Sequence, residues 1–373
     1  MNTRPARWFI GLMSGTSLDG IDGVLVDLSG SNCHVAGHAA APFTPELRAS
    51  LLALNVSGPD ELHRARLAAN ALAQGYAAVV RRLLAESALT ASQVCAIGAH
   101  GQTVRHRPQE FDGTGYTIQL NNPALLAELT GITVVADLRG RDVAAGGQGA
   151  PLVPAFHRKI FGQPGRDRAV LNLGGIANLT LLRRDGSTSG WDCGPANTLM
   201  DQWYQKHTGQ PYDDDGRWAA SGHPLPGLLQ ALLGEPYFAL PPPKSTGRDL
   251  FNPAWLQKQL AHAAGAAPAD VQATLAELTA QVCAQDLRRT APTTRELIVC
   301  GGGARNGHLM RRLQALLPGC AVASSAHHGL PPQQVEAAAF AWLAQQCIDG
   351  QPGNLPAATG ARGPRILGAI HQA

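Results

Sequence analysis

The stretch Trp8–Leu28, which reads WFIGLMSGTSLDGIDGVLVDL, decides the fold. Two apolar runs, Trp8–Met13 and Ile21–Leu28, flank a short segment of glycine, small hydroxyls and acid, and this pattern predicts a strand, a tight turn and a returning strand. Backbone N–H groups in such a turn can face an anion, and the hydroxyls of Thr16 and Ser17 add donors. The hairpin tip is therefore a candidate phosphate site, although an ordinary hairpin turn has the same composition.

Two acids of this hairpin, Asp19 and Asp22, would repel a bare phosphate. They are compatible with one if a divalent cation and its waters lie between them and a nucleotide. No G-K-[ST] sequence follows, which excludes a Walker A loop, and the next segment is predicted as a strand, which excludes the dinucleotide fingerprint. The tip predicts a nucleotide site that uses neither of these common motifs.

Composition narrows the class of protein. A chain of 373 residues predicts two domains, and 45% hydrophobic residues supply a core for each. The net charge of +3, without a basic patch, argues against a nucleic-acid partner. Seven scattered cysteines without a C-x-x-C pair favour a reducing compartment and no structural zinc. Because we find neither a signal-like start nor about 18 uninterrupted apolar residues, we expect a cytoplasmic protein without a membrane partner.

The pattern of the first hairpin recurs in the second half of the chain. Ala169–Leu182 reads AVLNLGGIANLTLL, again an apolar run, a glycine turn and an apolar run. Each hairpin precedes predicted helices and further strands, which indicates a duplicated α/β domain with a cleft between the copies. We expect the boundary within Phe161–Gly165, between a domain of residues 1–163 and a domain of residues 164–373.

Two polar loops follow predicted strands of the first domain. Val94–Ala99 ends at His100, and open α/β sheets place ligands at the carboxyl ends of their strands. A loop histidine bonded to backbone is the alternative. The run Asp137–Gly149 carries Arg139 and Asp142 beside strand ends, which suits a polar ligand or a solvated loop. Its glycines argue against a regular element there.

Asp192 is the strongest catalytic candidate. It lies in Gly190–Asn197, GWDCGPAN, just before a predicted helix, where capping is the commonest use of an aspartate. Gly194 and Pro195 make Asp192 a poor N-cap by position. A carboxylate between two phosphate-binding hairpins would instead serve as the base of a phosphoryl-transfer enzyme.

Weaker signals lie in the rest of the second half. Lys244 and Arg248, in the loop Pro241–Phe251, could contact a phosphate or a sugar acid, or remain solvated. Gly301–Gly303 separate a strand from a helix and would let backbone lie against a flat ring or a phosphate. Glu336 lies in the first turn of a helix, where the helix dipole favours a carboxylate without any function.

Taken together, five motifs resemble the anhydro-N-acetylmuramic acid kinases, which belong to the sugar kinase, Hsp70 and actin clan of ATPases. The motifs are G-T-S-x-D-G-x-D, L-N-L-G-G-I-A-N, D-x-G-P-x-N-x-L-M-D, P-P-K-S-T-G-R-D-x-F-N and C-G-G-G-A-R-N-x-x-L-M, and the resemblance runs from Trp8 to about Leu343. It implies a duplicated ribonuclease-H-like fold, a cleft that binds ATP and magnesium, and a homodimer.

The resemblance also implies residue roles. Asp192 matches the catalytic carboxylate, and Asp19 and Asp22 would serve the magnesium ion. Positions that match the ATP site are Gly15, Thr16, Ser17, Leu18, Asp19, Gly20, Ile21, Asp22, Gly174, Gly175, Gly301, Gly302 and Gly303. Positions expected at the sugar are His100, Arg139, Asp142 and Glu336. The chain departs from the family pattern at Cys193, where threonine is expected, and at Asn121-Asn122.

The implied reaction is the ATP-dependent opening of 1,6-anhydro-N-acetylmuramic acid to N-acetylmuramic acid 6-phosphate, within cell-wall (peptidoglycan) recycling. An ordinary hexose or polyol kinase is one alternative, in which the same aspartate takes a proton from a substrate hydroxyl. An ATP-driven switch of the Hsp70 or actin kind is the other, and it would need a separate partner-binding domain.

Overall fold

The computed structural model describes residues 5–15, 18–30, 33–247 and 249–373. The candidate residues Thr16, Ser17 and Arg248 lie outside these ranges. The chain divides into two compact units, one formed by Met1–Ile160 with Gln334–Ala373 and the other by Phe161–Gln333.

The strands in chain order are β1 (Trp8–Met13), β2 (Gly20–Asp27), β3 (His34–Pro42), β4 (Val94–Ala99), β5 (Gln102–Pro108), β6 (Gly115–Leu120), β7 (Val134–Ala136), β8 (Arg168–Leu173), β9 (Ile176–Leu182), β10 (Thr188–Pro195), β11 (Glu296–Cys300), β12 (Ala321–Ser324) and β13 (Ala369–His371). The helices are α1 (Pro45–Ala53), α2 (Glu61–Ser87), α3 (Pro123–Thr130), α4 (Gly140–Ala144), α5 (Val153–Phe161), α6 (Asn197–Thr208), α7 (Arg217–Ser221), α8 (Pro226–Leu233), α9 (Pro253–Gln259), α10 (Pro268–Thr290), α11 (Gly307–Leu316), α12 (Val335–Ile348) and α13 (Pro356–Thr359). Among the described residues, no helix has the length and apolar character needed to span a membrane.

The two units repeat one sheet topology. The first has the order β13-β7-β4-β1-β2-β3 and the second β10-β9-β8-β11-β12. In each, three consecutive strands form an antiparallel meander, and two later strands extend the sheet in parallel from the first strand of that meander. The predicted duplication of an α/β, ribonuclease-H-like domain is therefore confirmed, and the cleft stays a prediction.

The first hairpin forms where its apolar runs predict it, because both faces of its sheet are covered by helices. Phe9, Ile10 and Leu12 of β1 are fully buried. A Cβ built on Gly23, directly opposite Leu12, would meet side chains of α2, whereas one built on the neighbouring Gly11 would meet the backbone of α12. Successive residues of a strand point to opposite faces, so α2 and α12 lie on opposite sides of the sheet.

The end of the chain belongs to the first unit, whereas the sequence predicts a second domain that continues to residue 373. Helix α12 crosses β1 and β4 so closely that a Cβ on Gly11 would overlap the carbonyl oxygen of Ala337, and one on Gly98 would overlap that of Phe340. Strand β13 then pairs antiparallel with β7. The sequence of an apolar helix does not show which of two similar sheets it covers. The local pattern therefore does not reveal that α12 and β13 belong to the first unit.

A second correction concerns Asp137–Gly149, where the glycines argue against a regular element. The structure contains the short helix α4 there. The side chain of Asp137 makes it possible, because its Oδ1 accepts a hydrogen bond from the N–H of Gly140 at 3.2 Å. A carboxylate just before a helix satisfies a donor that the first turn leaves unpaired.

The close approach of α12 generates a stability prediction. Gly98→Ala should lower the free energy of unfolding by at least about 2 kcal/mol, because the new methyl group meets helix backbone that cannot rotate away. Gly363→Ala is the control, since the nearest atom to its Cβ is the end of the flexible Arg365 side chain. Chemical denaturation of both variants checks the prediction, and equal midpoints would contradict it.

Candidate functional site

Three polar side chains form a row across the meander of the second unit. Asn172 of β8 lies directly opposite Asn178 of β9, and Asn178 lies opposite Asp192 of β10. Directly opposed residues of antiparallel strands point to the same face of the sheet. The row therefore runs along one face, next to the turn Gly174–Gly175 that joins β8 to β9.

The turn Gly174–Gly175 supports helix α6 and leaves space beside it. Its carbonyl oxygens accept hydrogen bonds from the N–H groups of Asn197 and Ala196, each at 3.0 Å. A Cβ built on Gly174 would make only ordinary contacts, the nearest to the carbonyl oxygen of Ile176 at 3.6 Å. Packing of the residues that the structure describes does not by itself require a glycine at position 174.

Among the described residues, Asp192 makes three hydrogen bonds with residues 244–246 and one with a tyrosine. Its backbone N–H donates to the carbonyl of Lys244 at 3.0 Å, and its carbonyl accepts from the hydroxyl of Tyr237 at 2.7 Å. Its carboxylate Oδ2 accepts from the hydroxyl of Ser245 at 2.9 Å and from the N–H of Thr246 at 3.1 Å. Both donors stabilise the ionised form of the carboxylate.

The helix-capping alternative for Asp192 is wrong. Ala196 is the N-cap of α6 and has no capping side chain, and the N–H groups at the start of the helix bond to the turn Gly174–Gly175. Asp192 lies within β10, at a local change of register before Gly194. Its carboxylate therefore belongs to the polar row and to the loop that holds it.

Two polar atoms beside Asp192 are buried without a hydrogen-bond partner among the described residues. They are Oδ1 of Asn178, the cross-strand neighbour of Asp192, and Oγ1 of Thr246, whose N–H donates to the Asp192 carboxylate. Buried polar atoms are almost always satisfied in folded proteins. A bound water or a polar ligand beside Asp192 would satisfy them.

Lys244 differs from expectation, since the sequence predicts either a solvated lysine or one that meets a phosphate. Its side chain is only 2% exposed, and its Nζ pairs with Oδ2 of Asp286 at 3.2 Å. Asp286 also accepts a hydrogen bond from Nε1 of Trp191 at 3.0 Å. Lys244 is therefore a buried structural cation of the second unit.

Packing does not require all three glycines after β11. Gly301 has a φ of +80°, and a Cβ there would lie 2.5 Å from Oδ1 of Asn172. A Cβ on Gly303 would lie 2.6 Å from the Cβ of Leu173, whereas one on Gly302 would make only an ordinary contact. Gly301 and Gly303 are thus required for packing against the end of β8, beside the polar row, and Gly302 is not.

The first hairpin has an ordered base in the first unit. The carbonyl of Gly15 accepts from the N–H of Leu18 at 3.2 Å and from Nε2 of Gln102 at 3.1 Å. Leu18 is buried with a φ of +58°. Gly20 begins β2 beside β3, and Ile21 packs into the core. The structural roles of Leu18, Gly20 and Ile21 are therefore independent of any ligand.

The two acids of this hairpin have different surroundings. Asp22 is half-exposed and its Oδ1 lies 3.2 Å from Nε2 of His38. Asp19 is exposed and precedes β2. Across the ranges that the structure describes, no three His, Cys, Asp or Glu residues cluster as a metal site. Magnesium usually keeps several waters and takes one or two carboxylates together with substrate phosphates, and that mode of binding needs no such cluster.

The buried His100 and the half-buried Arg139 form a hydrogen-bonded pair in the first unit. Arg139 donates from Nε to Nε2 of His100 at 3.0 Å and from NH1 to the carbonyl of Gly149 at 2.7 Å. Burial, and then the charge of Arg139, hold the pKa of His100 well below its usual range, so the ring is neutral. Because arginine only donates, we assign the ring proton to Nδ1. His100 thereby orients the Arg139 guanidinium.

Asp142 is bound by the protein itself. Its side chain is fully buried and accepts from the N–H of Gly149 at 2.8 Å, Nδ2 of Asn354 at 2.7 Å and Oγ1 of Thr359 at 2.8 Å. These bonds tie the loop that carries Arg139 to the last part of the chain. Glu336 lies in the first turn of α12 in the same unit and is partly buried.

The departures from the family pattern have different surroundings, and both polar side-chain atoms of Asn121 are buried without a hydrogen-bond partner among the described residues. Cys193 is fully buried, and a contact with Cys283 together with burial raises the pKa of its thiol well above the usual range. Asn122 caps α3, where its Oδ1 accepts from the N–H of Leu125 at 3.2 Å. Neither side chain takes part in the hydrogen bonds that hold Asp192.

The sequence patterns did not indicate a role for Asn172 or Asn178, nor the contacts of residues 244–246 with Asp192. The signal for the asparagines is their position at the two strand ends that flank the glycine turn. The signal for the loop is the K-S-T run itself, whose small donors suit a carboxylate as well as a phosphate.

Comparisons with known proteins agree with one another. The family model described as anhydro-N-acetylmuramic acid kinase matches residues 7–373. An anhydro-N-acetylmuramic acid kinase of Variovorax paradoxus is 64% identical over 370 residues, which cover 98% of this chain and 99% of that protein. Those of Albidiferax ferrireducens and Cupriavidus pinatubonensis are 59% and 58% identical, covering 98% and 97% of this chain and 99% and 98% of theirs.

The glycine loop provides a matched pair of variants. Gly301→Ala should lower the free energy of unfolding by about 1 to 3 kcal/mol, because alanine is strained at a positive φ and its methyl group meets Asn172. Gly302→Ala should leave stability nearly unchanged, since its Cβ finds space. Denaturation midpoints of the two variants check this, and a larger loss for Gly302→Ala would contradict the assignment.

Proposed function

The chain belongs to the anhydro-N-acetylmuramic acid kinase family, and from that premise we propose that it opens 1,6-anhydro-N-acetylmuramic acid with water while ATP phosphorylates O6. The products are N-acetylmuramic acid 6-phosphate and ADP, which places the enzyme in peptidoglycan recycling. The observation that supports this chemistry is a carboxylate, that of Asp192, held beside a glycine turn with open space and two unpartnered buried polar atoms.

In the proposed mechanism Asp192 is the general base. It takes a proton from a water molecule whose oxygen forms the new bond to C1 of the sugar. The bond from C1 to O6 breaks, and O6 forms a bond to the γ-phosphorus as ADP leaves. The donors Ser245 and Thr246 support this role, because they hold one carboxylate oxygen in place and favour the ionised form.

We propose that the two glycine hairpins and the loop Gly301–Gly303 bind ATP. The first hairpin contributes the segment Gly15–Asp22, and the second contributes Gly174–Gly175, where the space beside Gly174 supports contact with a phosphate. On the adenosine side, only Gly302 lacks a packing reason to be glycine, so it is the position where a ligand best explains the residue.

Magnesium bound with ATP would neutralise charge that develops on the phosphates. For its protein ligands we propose Asp19 and Asp22, the two acids of the first hairpin, of which Asp19 lies nearer the hairpin tip. Waters and phosphate oxygens would supply the other ligands.

For the sugar side we propose Arg139 and Glu336 as contact residues. His100 supports this role by orienting the guanidinium of Arg139, and Asp142 supports it by holding the loop of Arg139 in place. The family resemblance further implies a homodimer in the cytoplasm, and we propose both. Sedimentation of the purified protein would test the homodimer.

Oxygen-18 water tests the reaction. The protein with ATP, magnesium and the anhydro sugar should place one labelled oxygen at C1 and none in the phosphoryl group. Product made in ordinary water and then held in labelled water for the same time measures exchange at C1. An ordinary hexose or polyol kinase would leave C1 unlabelled, and an ATP-driven switch would release labelled inorganic phosphate, so either result would overturn the proposal.

Replacing the proposed base gives the sharpest test of a single residue. Asp192→Asn keeps the size of the side chain but cannot accept the proton, so kcat should fall about 10²- to 10⁴-fold while ATP and sugar still bind. Asp185→Asn is the control, since Asp185 also accepts a hydrogen bond from a serine hydroxyl but lies in the exposed turn before β10. An Asp192→Asn enzyme with more than about a tenth of normal kcat would rule out this base.

A further inference from the structure

Three consecutive residues of the second unit each bind Asp192. Lys244 does so through its carbonyl, Ser245 through its hydroxyl and Thr246 through its backbone N–H. Strand β10 is the edge of its sheet, with β9 as its neighbour. The N–H of Asp192 that bonds to Lys244 therefore points away from β9, and residues 244–246 cover the open edge.

The side chains of this segment divide between the two faces of the strand. Trp191 faces the core, where its Nε1 bonds to Asp286, and Asp192 faces the opposite side because successive residues alternate. The Lys244 ammonium reaches the core side and pairs with the same Asp286, while the hydroxyl of Ser245 lies on the other face at the carboxylate. Residues 244–246 thus contact the edge of β10 on both faces of the sheet.

The buried lysine has the contacts of an anchor. Its Nζ lies 3.2 Å from Oδ2 of Asp286, 3.4 Å from the carbonyl of Phe238 and 4.9 Å from the ring centre of Tyr237. Tyr237 donates in turn to the carbonyl of Asp192. A buried ammonium is stable only where its charge is compensated, so these contacts fix the position of Lys244. The positions of Ser245 and Thr246, the next two residues of the chain, are thereby fixed as well.

We propose that Lys244, Ser245 and Thr246 form a positioning clamp for Asp192, in which Lys244 anchors the segment to Asp286 and the other two residues aim the carboxylate at the attacking water. The proposal rests on the proposed role of Asp192 as the base. The clamp residues need not touch substrate, and their contribution is the orientation and ionisation of a carboxylate that does. Misplacement of a reacting group by about 1 Å can cost about 10²-fold in rate, so orientation alone carries a large effect.

Ser245 offers the cleanest variant because its side chain is exposed. Ser245→Ala should lower kcat by about 10- to 100-fold with little change in KM for either substrate. The acid limb of its pH profile should move to higher pH, because a carboxylate that loses a donor is protonated more easily. Ser245→Thr should restore most of the rate, since it restores the hydroxyl.

A double-mutant cycle separates this clamp from the base itself. In an Asp192→Asn background, Ser245→Ala should cost nothing further, because the clamp acts only through Asp192. Ser187→Ala is the matched control, since Ser187 donates to Asp185 at 2.6 Å with the same chemistry and should leave kcat and the pH profile unchanged. Lys244→Met should also lower kcat rather than raise KM, and it is expected to fold because Asp286 keeps its bonds from Arg289 and Trp191.

The outcomes are distinct. If Asp192→Asn abolishes turnover but Ser245→Ala changes neither kcat nor the acid limb, the clamp is wrong and the base stands. If the Ser245→Ala effect is a rise in KM, or persists in the Asp192→Asn background, Ser245 binds substrate directly and the clamp is again overturned. If Asp192→Asn retains normal turnover, Asp192 is not the base, and the clamp, which acts through that base, is overturned with it.

Discussion

An edge strand has one side without a sheet neighbour, and the candidate site of the second unit depends on how that side is covered. Strand β10 carries Asp192, and the segment 244–246 pairs with its open edge through the backbone and through the carboxylate. The buried Lys244–Asp286 pair holds this segment. Such a pair adds little net stability, because desolvation offsets most of its attraction. We therefore infer that the Lys244–Asp286 pair serves to position residues 244–246 rather than to stabilise the fold.

Glycines illustrate why a motif does not by itself reveal a ligand. Gly301 and Gly303 are required by close packing against β8, and Gly11 and Gly98 by the passage of α12. At Gly174 a Cβ would meet no atom of the described residues closer than 3.6 Å, so the packing of those residues offers no reason for glycine there. All of these positions look alike in the sequence. Only the structure distinguishes the glycines that close packing requires from those that it does not.

The sequence predicted those features that depend on residues close together in the chain. Apolar runs on either side of a glycine turn located both hairpins. It did not predict the return of residues 334–373 to the first unit, because that depends on which sheet offers two glycines under the helix. The burial of Lys244 and Asp142 was also missed, since their partners Asp286 and Asn354 lie far away in the chain.

The duplicated meanders place their acids on different strands. In the second unit the cross-strand row is Asn172, Asn178 and Asp192, with the acid on the outer strand, whereas in the first unit Asp22 lies on the middle strand between Met13 and Ala40. A middle strand has both backbone edges paired, so a side chain there finds its partner on a neighbouring strand, as Asp22 does with His38. An outer strand leaves one edge for a loop, which can fix backbone and carboxylate together. The two meanders share one topology, and the strand that carries the acid determines whether a loop can bind both its backbone and its carboxylate.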